Sequence, residues 1–259
     1  MAEDLLYEIQ DGIGFITFNR PEARNALTFA MYERLAEICN GIEAQKSVRA
    51  LVLSGAGEKA FAAGTDISQF RSFETPEDAL GYEARIDRVL GALERCPVPT
   101  FAAIAGACTG GGAGIAAACD IRLAAANARF GFPIARTLGN CLSMSNYLRL
   151  YSLLGPARTK EMIFTARLLG ADEIKAAGLV SDILPDRPAL MARARELART
   201  VAGHAPLTLR ATKEALRRIR DRSLSESDKD LILMCYMSRD FREGMDAFLT
   251  KRSPVWRGE

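Results

Sequence analysis

Twenty-four consecutive residues, Cys96 to Cys119, carry no charge. A run of that length reaches the roughly 20 residues that a helix needs to cross a bilayer core. Its composition argues against a single span. Pro97 and Pro99 stand near its start, Gly110, Gly111 and Gly112 in its middle, and small residues fill most of the rest. Proline removes a helical N–H and clashes with the preceding turn, and glycine costs about 1 kcal/mol in a helix interior. A buried strand, a tight glycine turn and a buried helix fit the run instead.

The remaining pattern alternates strand and helix. "IGFITFNRP" (Ile13–Pro21) alternates apolar and polar residues and ends in a turn. "LTFAMYERLAEICNGIEA" sets Leu35, Ile38, Cys39 and Ile42 at helical spacing, and "RALVLSG" (Arg49–Gly55) is a short buried strand. A second helix runs through Tyr82, Ile86, Val89, Leu90 and Leu93, with "TPED" at Thr75–Asp78 as its start signal. "TFAAIAG" and "DIRLAA" read as strands on either side of the "GGGAGIAAA" helix. Beyond about Pro156 the spacing is mostly helical, and "HAPLTLRATKEALRRIR" and "LSESDKDLILMCYMSRDFREGMDAFL" read as two long helices. The pattern gives an α/β unit over residues 1–195 and a helical region over 196–259 joined closely to it.

The formal net charge is +2, with no basic cluster interleaved with aromatics, which argues against a nucleic-acid partner. Six cysteines are scattered without a CxxC pair, as reduced core residues are, which argues against disulfides and a metal site. The N-terminal "MAEDLLYEIQ" is acidic and has no secretory apolar core, so a cytoplasmic location is expected, with no membrane partner.

Two turns carry chemical interest. In "LVLSGAGEKAFAAGTDISQF" and in "TFAAIAGACTGGGAGIAAA" a strand runs into a glycine-bearing turn. Glycine lets backbone N–H groups face a shared point, and the second turn opens a helix whose dipole favours an anion. Two readings stand at this point: a pair of amides for a developing oxyanion, or glycines needed only for tight packing. A phosphate-binding P-loop fits worse, because no Lys-Ser/Thr follows the glycines.

"NRPEARNAL" (Asn19–Leu27), "AFAAGTDI" (Ala60–Ile67), "IAGACTGGGAGIAAACDIRLAAANARFGFP" (Ile104–Pro133) and "EGMDAFLTKRSPVW" (Glu243–Trp256) closely resemble the enoyl-CoA hydratase/isomerase, or crotonase, family. The resemblance implies a crotonase-like spiral of ββα repeats, with a C-terminal helical region for oligomerisation into homotrimers or homohexamers. It implies an acyl-CoA thioester substrate that brings its own coenzyme A, and no other cofactor. Matched motif to motif, the thioester oxygen falls to the backbone amides of Thr65 and Gly111. Such donors are commonly worth roughly 3–4 kcal/mol each to a transition state.

The chain departs from that pattern where hydratases of the family typically carry two glutamates. The matching positions hold Gly114 and Ile134. Neither can activate water or protonate a carbon, so plain hydration is in doubt. The polar stretch that follows, "ARTLGNCLSMSN", offers Arg136, Asn140, Cys141 and Ser143 as substitutes. Arg136 would bind a substrate carboxylate and Cys141 would need a lowered pKa. The plainer reading makes Asn140 and Ser143 helix caps and Arg136 a solvated charge. His204, the single histidine, reads as a loop residue, and Asp66 as a local backbone cap.

For coenzyme A the resemblance offers Arg24 near the phosphates and Ala63, Asp66 and Ile67 along the adenine and pantetheine. Lys251, with Arg252, would reach a neighbouring subunit's ligand. Three functions remain open: a hydratase or isomerase working through Thr65 and Gly111; a same-fold hydrolase, decarboxylase or isomerase using residues 135–146; and a non-catalytic acyl-CoA-binding protein.

Overall fold

Strands buried on both faces need apolar residues at odd and even positions alike, and the sequence supplies them from Ile13 onward. A computed structural model describes residues 3–71, 73–222 and 227–259. A hairpin of β1 (Leu5–Gln10) and β2 (Ile13–Phe18) leads through a 3-10 turn at Pro21–Ala23 into α1 (Phe29–Gly41), capped by Thr28. The chain then makes the same move three times: a longer strand, a tight turn, a short strand and a helix. The first turn of this spiral is β3 (Ala50–Gly55), β4 (Ala60–Ala63) and α2 (Pro76–Arg95). The second is β5 (Thr100–Ile104), β6 (Ala107–Thr109) and α3 (Gly111–Ala118). The third is β7 (Ile121–Ala125), β8 (Arg129–Gly131) and the short α4 (Ile134–Thr137).

The longer strands, with the short β10 (Asp182–Leu184) at the edge, pair in the order β1-β2-β3-β5-β7-β10, parallel after the first hairpin. The short ones form a second sheet, β4-β6-β8-β9, with β9 at Leu169–Gly170. In β3, Ala50 and Val52 join the cluster on one face while Leu51 and Leu53 join the main core on the other, the period-two alternation of a doubly covered strand. The uncharged run is thus two strands and a helix, and among the described residues no helix is long and apolar enough to cross a membrane. The sequence reading took β6 for part of the turn.

Beyond α4 come α5 (Met144–Phe164), kinked at Gly155, then α6 (Ala171–Ala176), α7 (Arg187–Ala202) and α8 (Pro206–Asp221). The expected boundary at residue 195 falls inside α7. Leu190, Ala194 and Ala198 of that helix all pack with Ile13, Val52 and Phe101, so the sheet's cover extends past the boundary. The last expected helix divides into α9 (Lys229–Tyr236) and α10 (Arg239–Thr250), because Ser238 caps a new N-terminus by accepting from Phe241 N. Its first residues, 224–226, lie outside the described residues. α8 is tied to the core by Lys213 Nζ on Asp120 Oδ2 at 2.7 Å, and Arg220 lies on Glu94.

Candidate active site

The "NRPEARNAL" segment places the first wall. Arg24 and Asn25 both adopt left-handed backbone, a conformation that Asn tolerates better than most residues. The fully buried Asn25 side chain donates to Ala56 O at 3.0 Å and Ala60 O at 2.8 Å, and accepts from Arg20 N at 3.0 Å. That clamp brings Leu27 against the turn after β4. Leu27 N donates to Gly64 O, and Asp66 N donates to Leu27 O. The bridge uses atoms on either side of Thr65 and leaves the Thr65 N–H without an acceptor among the described residues.

The second wall is the triple glycine, and each glycine has its own reason. Gly110 has φ +52° and ψ −121°, a conformation costly for a residue with Cβ. A Cβ on Gly111 would lie 1.9 Å from Tyr32 Oη, and one on Gly112 would lie 2.2 Å from Ala62 O. The first gap admits a chain of hydroxyls, in which Thr65 Oγ1 lies 2.9 Å from both Tyr32 Oη and Tyr82 Oη. The second lets α3 pack directly on β4. The two turns touch: a Cβ on Gly110 would come 3.4 Å from Gly64 Cα. Gly111 is the first residue of α3, and such N–H groups have no intrahelical partner.

Both turns border a cavity of about 520 Å³. Thr65, Gly111, Gly114, Ile134, Asn140, Arg24, Ala63, Asp66 and Ile67 all line it. Of the two positions matched to the glutamates, Gly114 leaves room, since a Cβ there would meet only Leu90 Cδ1 at 3.4 Å and Asn146 Oδ1 at 3.8 Å. Asp66 caps the following 3-10 turn through Ser68 N. Burial acts to raise its pKa, but hydrogen bonds from Ser68 and the Arg20 guanidinium outweigh that and hold it below the usual carboxylate range.

Five candidates lie outside the cavity lining. Arg136 is exposed and outside the cavity lining. Cys141 is buried, its thiol directed to Leu231 O at 3.4 Å. Its hydrogen bond with Cys235 and its burial push that thiol far above its ordinary range, the opposite of what a base or nucleophile needs. Ser143 is the N-cap of α5, accepting from Asn146 N at 3.3 Å. Lys251 sits at the left-handed C-cap of α10, away from this cavity, and Arg252 is taken up by Glu243, with Nη2 2.8 Å from Oε2.

The sequence reading missed Glu83. Among the described residues, the carboxylates lining the cavity are Asp66 and Glu83, and Glu83 is 3% exposed. Tyr236 Oη donates to its Oε1 at 2.6 Å and Ser143 N to its Oε2 at 3.2 Å. Burial is the main cause that raises its pKa from 4.5 to about 7. Asp87 and Asp228 add to the rise, and the two hydrogen bonds oppose it. Nearby, Asn140 Nδ2 donates to Tyr236 Oη at 3.2 Å, while Asn140 Oδ1 is buried with no partner among the described residues. A signal existed: Glu83, Asp87 and Glu94 share one face of α2 beside its apolar stripe.

Two sheets wound together by ββα turns bring two glycine turns to one cavity, with the Thr65 and Gly111 amides unpaired among the described residues. The chain belongs to the enoyl-CoA hydratase/isomerase family, whose pattern matches residues 8–259. It is 34% identical over 254 residues to a short-chain-enoyl-CoA hydratase of Clostridium acetobutylicum, covering 96% of this chain and 95% of that one. An enoyl-CoA hydratase/carnithine racemase of Magnetospirillum magneticum is similar in structure, with 33% identity and a TM-score of 0.80, over 100% of this chain and 97% of the other. A methylmalonyl-CoA decarboxylase in complex with 2-nitronate-propionyl-CoA gives a TM-score of 0.90 at 25% identity over 100% of both chains.

Proposed function

We propose that this chain converts an acyl-CoA thioester by way of its enolate, with the Thr65 and Gly111 amides holding the oxygen. The observation that supports this reading is the meeting of the Gly64–Thr65 and Gly110–Gly111 turns at one cavity, each presenting an N–H that no described residue accepts. Two preorganised donors stabilise charge as it develops and need no reorganisation. Arg24 at the rim suits a CoA phosphate. Gly114 and Ile134 leave the two glutamate positions without acid or base, so hydration of crotonyl-CoA is slow.

Replacing Gly111 by proline would remove its N–H but also drive an atom into Tyr32 Oη, so a ligand tests the reading better. 2-Nitronate-propionyl-CoA has a planar α-carbon conjugated to a delocalised negative charge, as an enolate has, and calorimetry should show it binding at least 100-fold tighter than propionyl-CoA. Equal affinities would sink the enolate reading.

A second reading is loss of CO2 from a 2-carboxyacyl-CoA. It draws on the likeness to the methylmalonyl-CoA decarboxylase and on the two vacant glutamate positions, since this reaction needs an oxyanion site and a proton but no activated water. Release of CO2 from methylmalonyl-CoA, with crotonyl-CoA untouched, would select it.

The chain is further read as a homo-oligomer. α8 buries none of its residues and exposes Leu207, Leu216 and Ile219, while Met234 of α9 is also exposed. An apolar face of that kind belongs against a second copy. Sedimentation as a monomer at micromolar concentration would refute this.

A further inference from the structure

Forming an enolate requires a base for the α-proton, and neither Gly114 nor Ile134 can serve. Glu83 of α2 lines the same cavity as Thr65, Gly111 and Gly114. Among the described residues it has no cationic partner within ion-pairing distance; its hydrogen bonds come from a tyrosine hydroxyl and a backbone amide. The other cavity carboxylate, Asp66, is held by Arg20 at 3.1 Å and by Ser68. Building on the enolate reading, we infer that Glu83 takes up and returns the proton at the substrate α-carbon.

The step balances within the site. The Glu83 carboxylate removes the α-proton, the C–H electron pair forms the enolate double bond, and the carbonyl pair moves onto the oxygen held by Thr65 and Gly111. Return of the proton from the Glu83 carboxyl to carbon regenerates the thioester. An acid whose pKa lies near the working pH is suited to both directions.

Besides Glu83, the nearby thiol of Cys235 also changes charge near neutrality. Asp87 stands one turn along α2 and Asp228 stands just before α9, both raising its pKa. Tyr32 of α1, Tyr82 of α2, Tyr147 of α5 and Tyr236 of α9 are all pushed upward, chiefly by burial, and remain neutral there. Cys141 is raised as well. Arg149 lies one step further, 3.6 Å from Asp87. Cys235 is drawn down to about 7 by its hydrogen bond from Cys141, so Cys235→Ser serves as a control.

The test is exchange of the C2 protons of propionyl-CoA in D2O, followed by NMR across pH 5–9. Exchange should rise through about pH 7 as Glu83 ionises, and Cys235→Ser should keep that limb. Glu83→Gln can accept one of the two hydrogen bonds without ionising, and should lose at least 100-fold of the rate. Glu83→Asp should retain part of it, and Tyr236→Phe, by removing a donor to the carboxylate, should move the limb upward. A folded Glu83→Gln that binds 2-nitronate-propionyl-CoA like wild type and keeps its exchange rate within threefold would overturn the assignment. Tight nitronate binding by a wild type that does not exchange would overturn it too, leaving the enolate reading intact. Weak nitronate binding by wild type would overturn the enolate reading itself. Should Glu83→Gln not fold, an unmoved limb in Tyr236→Phe would count against the assignment.

Discussion

Glu83 and Glu94 stand on one face of the same helix, both withdrawn from solvent, yet their surroundings push them in opposite directions. Burial penalises the charge of each. At Glu94 the penalty is overcome by Arg149, whose Nε and Nη2 lie 2.8 and 3.0 Å from its oxygens, and by Arg220, and the pKa falls to about 2. At Glu83 no described residue brings a cation, and the pKa rises to about 7. The difference lies in the neighbouring elements. α5 and α8 bring guanidinium groups to the far end of α2, while the end beside the cavity meets a tyrosine, a backbone amide and two further acids. A buried carboxylate is thus a structural anchor at one end of the helix and a titrating group at the other.

The comparison breaks most severely if Arg149 is removed. Arg149→Met leaves Asp87 without its cation and Glu94 with Arg220 alone. Removing one partner of a buried ion pair commonly costs about 3–5 kcal/mol, and urea unfolding at pH 7 should show a loss of that size. A loss below about 1 kcal/mol would mean that the pairing at this end is incidental.

Next in size is the pH dependence of stability. Between pH 4.5 and about 7 the unfolded chain ionises Glu83 while the folded chain keeps it protonated, so folding weakens over that window and levels off above it. At 1.36 kcal/mol per pH unit, a rise from 4.5 to about 7 is worth about 3 kcal/mol. Glu83→Gln removes this term, so its stability should fall less than that of wild type between pH 4 and pH 8, by about that amount. Glu94 works with the opposite sign. Its contribution is complete above pH 4.5 and is lost as pH falls toward about 2. Parallel pH profiles for wild type and Glu83→Gln would erase the distinction between the two ends.

A smaller effect should follow from adding carboxylates to the cavity end. Gly114→Glu with Ile134→Glu supplies an acid and a base for water addition, and a Cβ at Gly114 meets only ordinary contacts. Crotonyl-CoA hydration should rise at least tenfold above a slow wild type, within the range that general acid–base groups provide. Two more buried carboxylates near Glu83 will destabilise the fold, so melting is measured first. Brisk hydration by wild type would mean that another base is already at work.

The smallest expected effect is none. Arg136→Ala and His204→Ala change exposed residues outside the cavity and should leave both α-proton exchange and stability within twofold and about 0.5 kcal/mol of wild type.

The two ends of α2 also mark how far the sequence could be read. The "TPED" start signal became a complete capping box, with Thr75 and Asp78 bonded reciprocally, because that information is local. The glycine turns were legible for the same reason, and so were the cavity positions of Gly114 and Ile134 once the motifs were matched. The three-residue strands β6 and β8 were not, since three residues are too few to show a period. Glu83 was missed because its environment is assembled from afar: Ser143 is 60 residues away in sequence and Tyr236 is 153. Desolvation of that kind leaves only a faint trace in the letters around the carboxylate. The division between α9 and α10 rested on a serine cap inside a stretch that otherwise reads as one helix.

The contact between Gly111 and Tyr32 has a consequence for the routes by which this sequence can change. An alanine at position 111 is barred while the Tyr32 hydroxyl stands 1.9 Å from where its Cβ would fall. Once that hydroxyl is gone, the nearest atoms left are Thr65 Oγ1 at 3.1 Å and Tyr32 Cζ at 3.2 Å, which is tight but passable. Tyr32→Phe therefore has to come first, at the expense of one partner of Thr65 Oγ1, and only then does Gly111→Ala become open. The two steps do not commute. A single-site survey would report Gly111 as immutable, whereas the constraint belongs to the pair, and the order of substitution decides whether a neighbouring sequence can be reached.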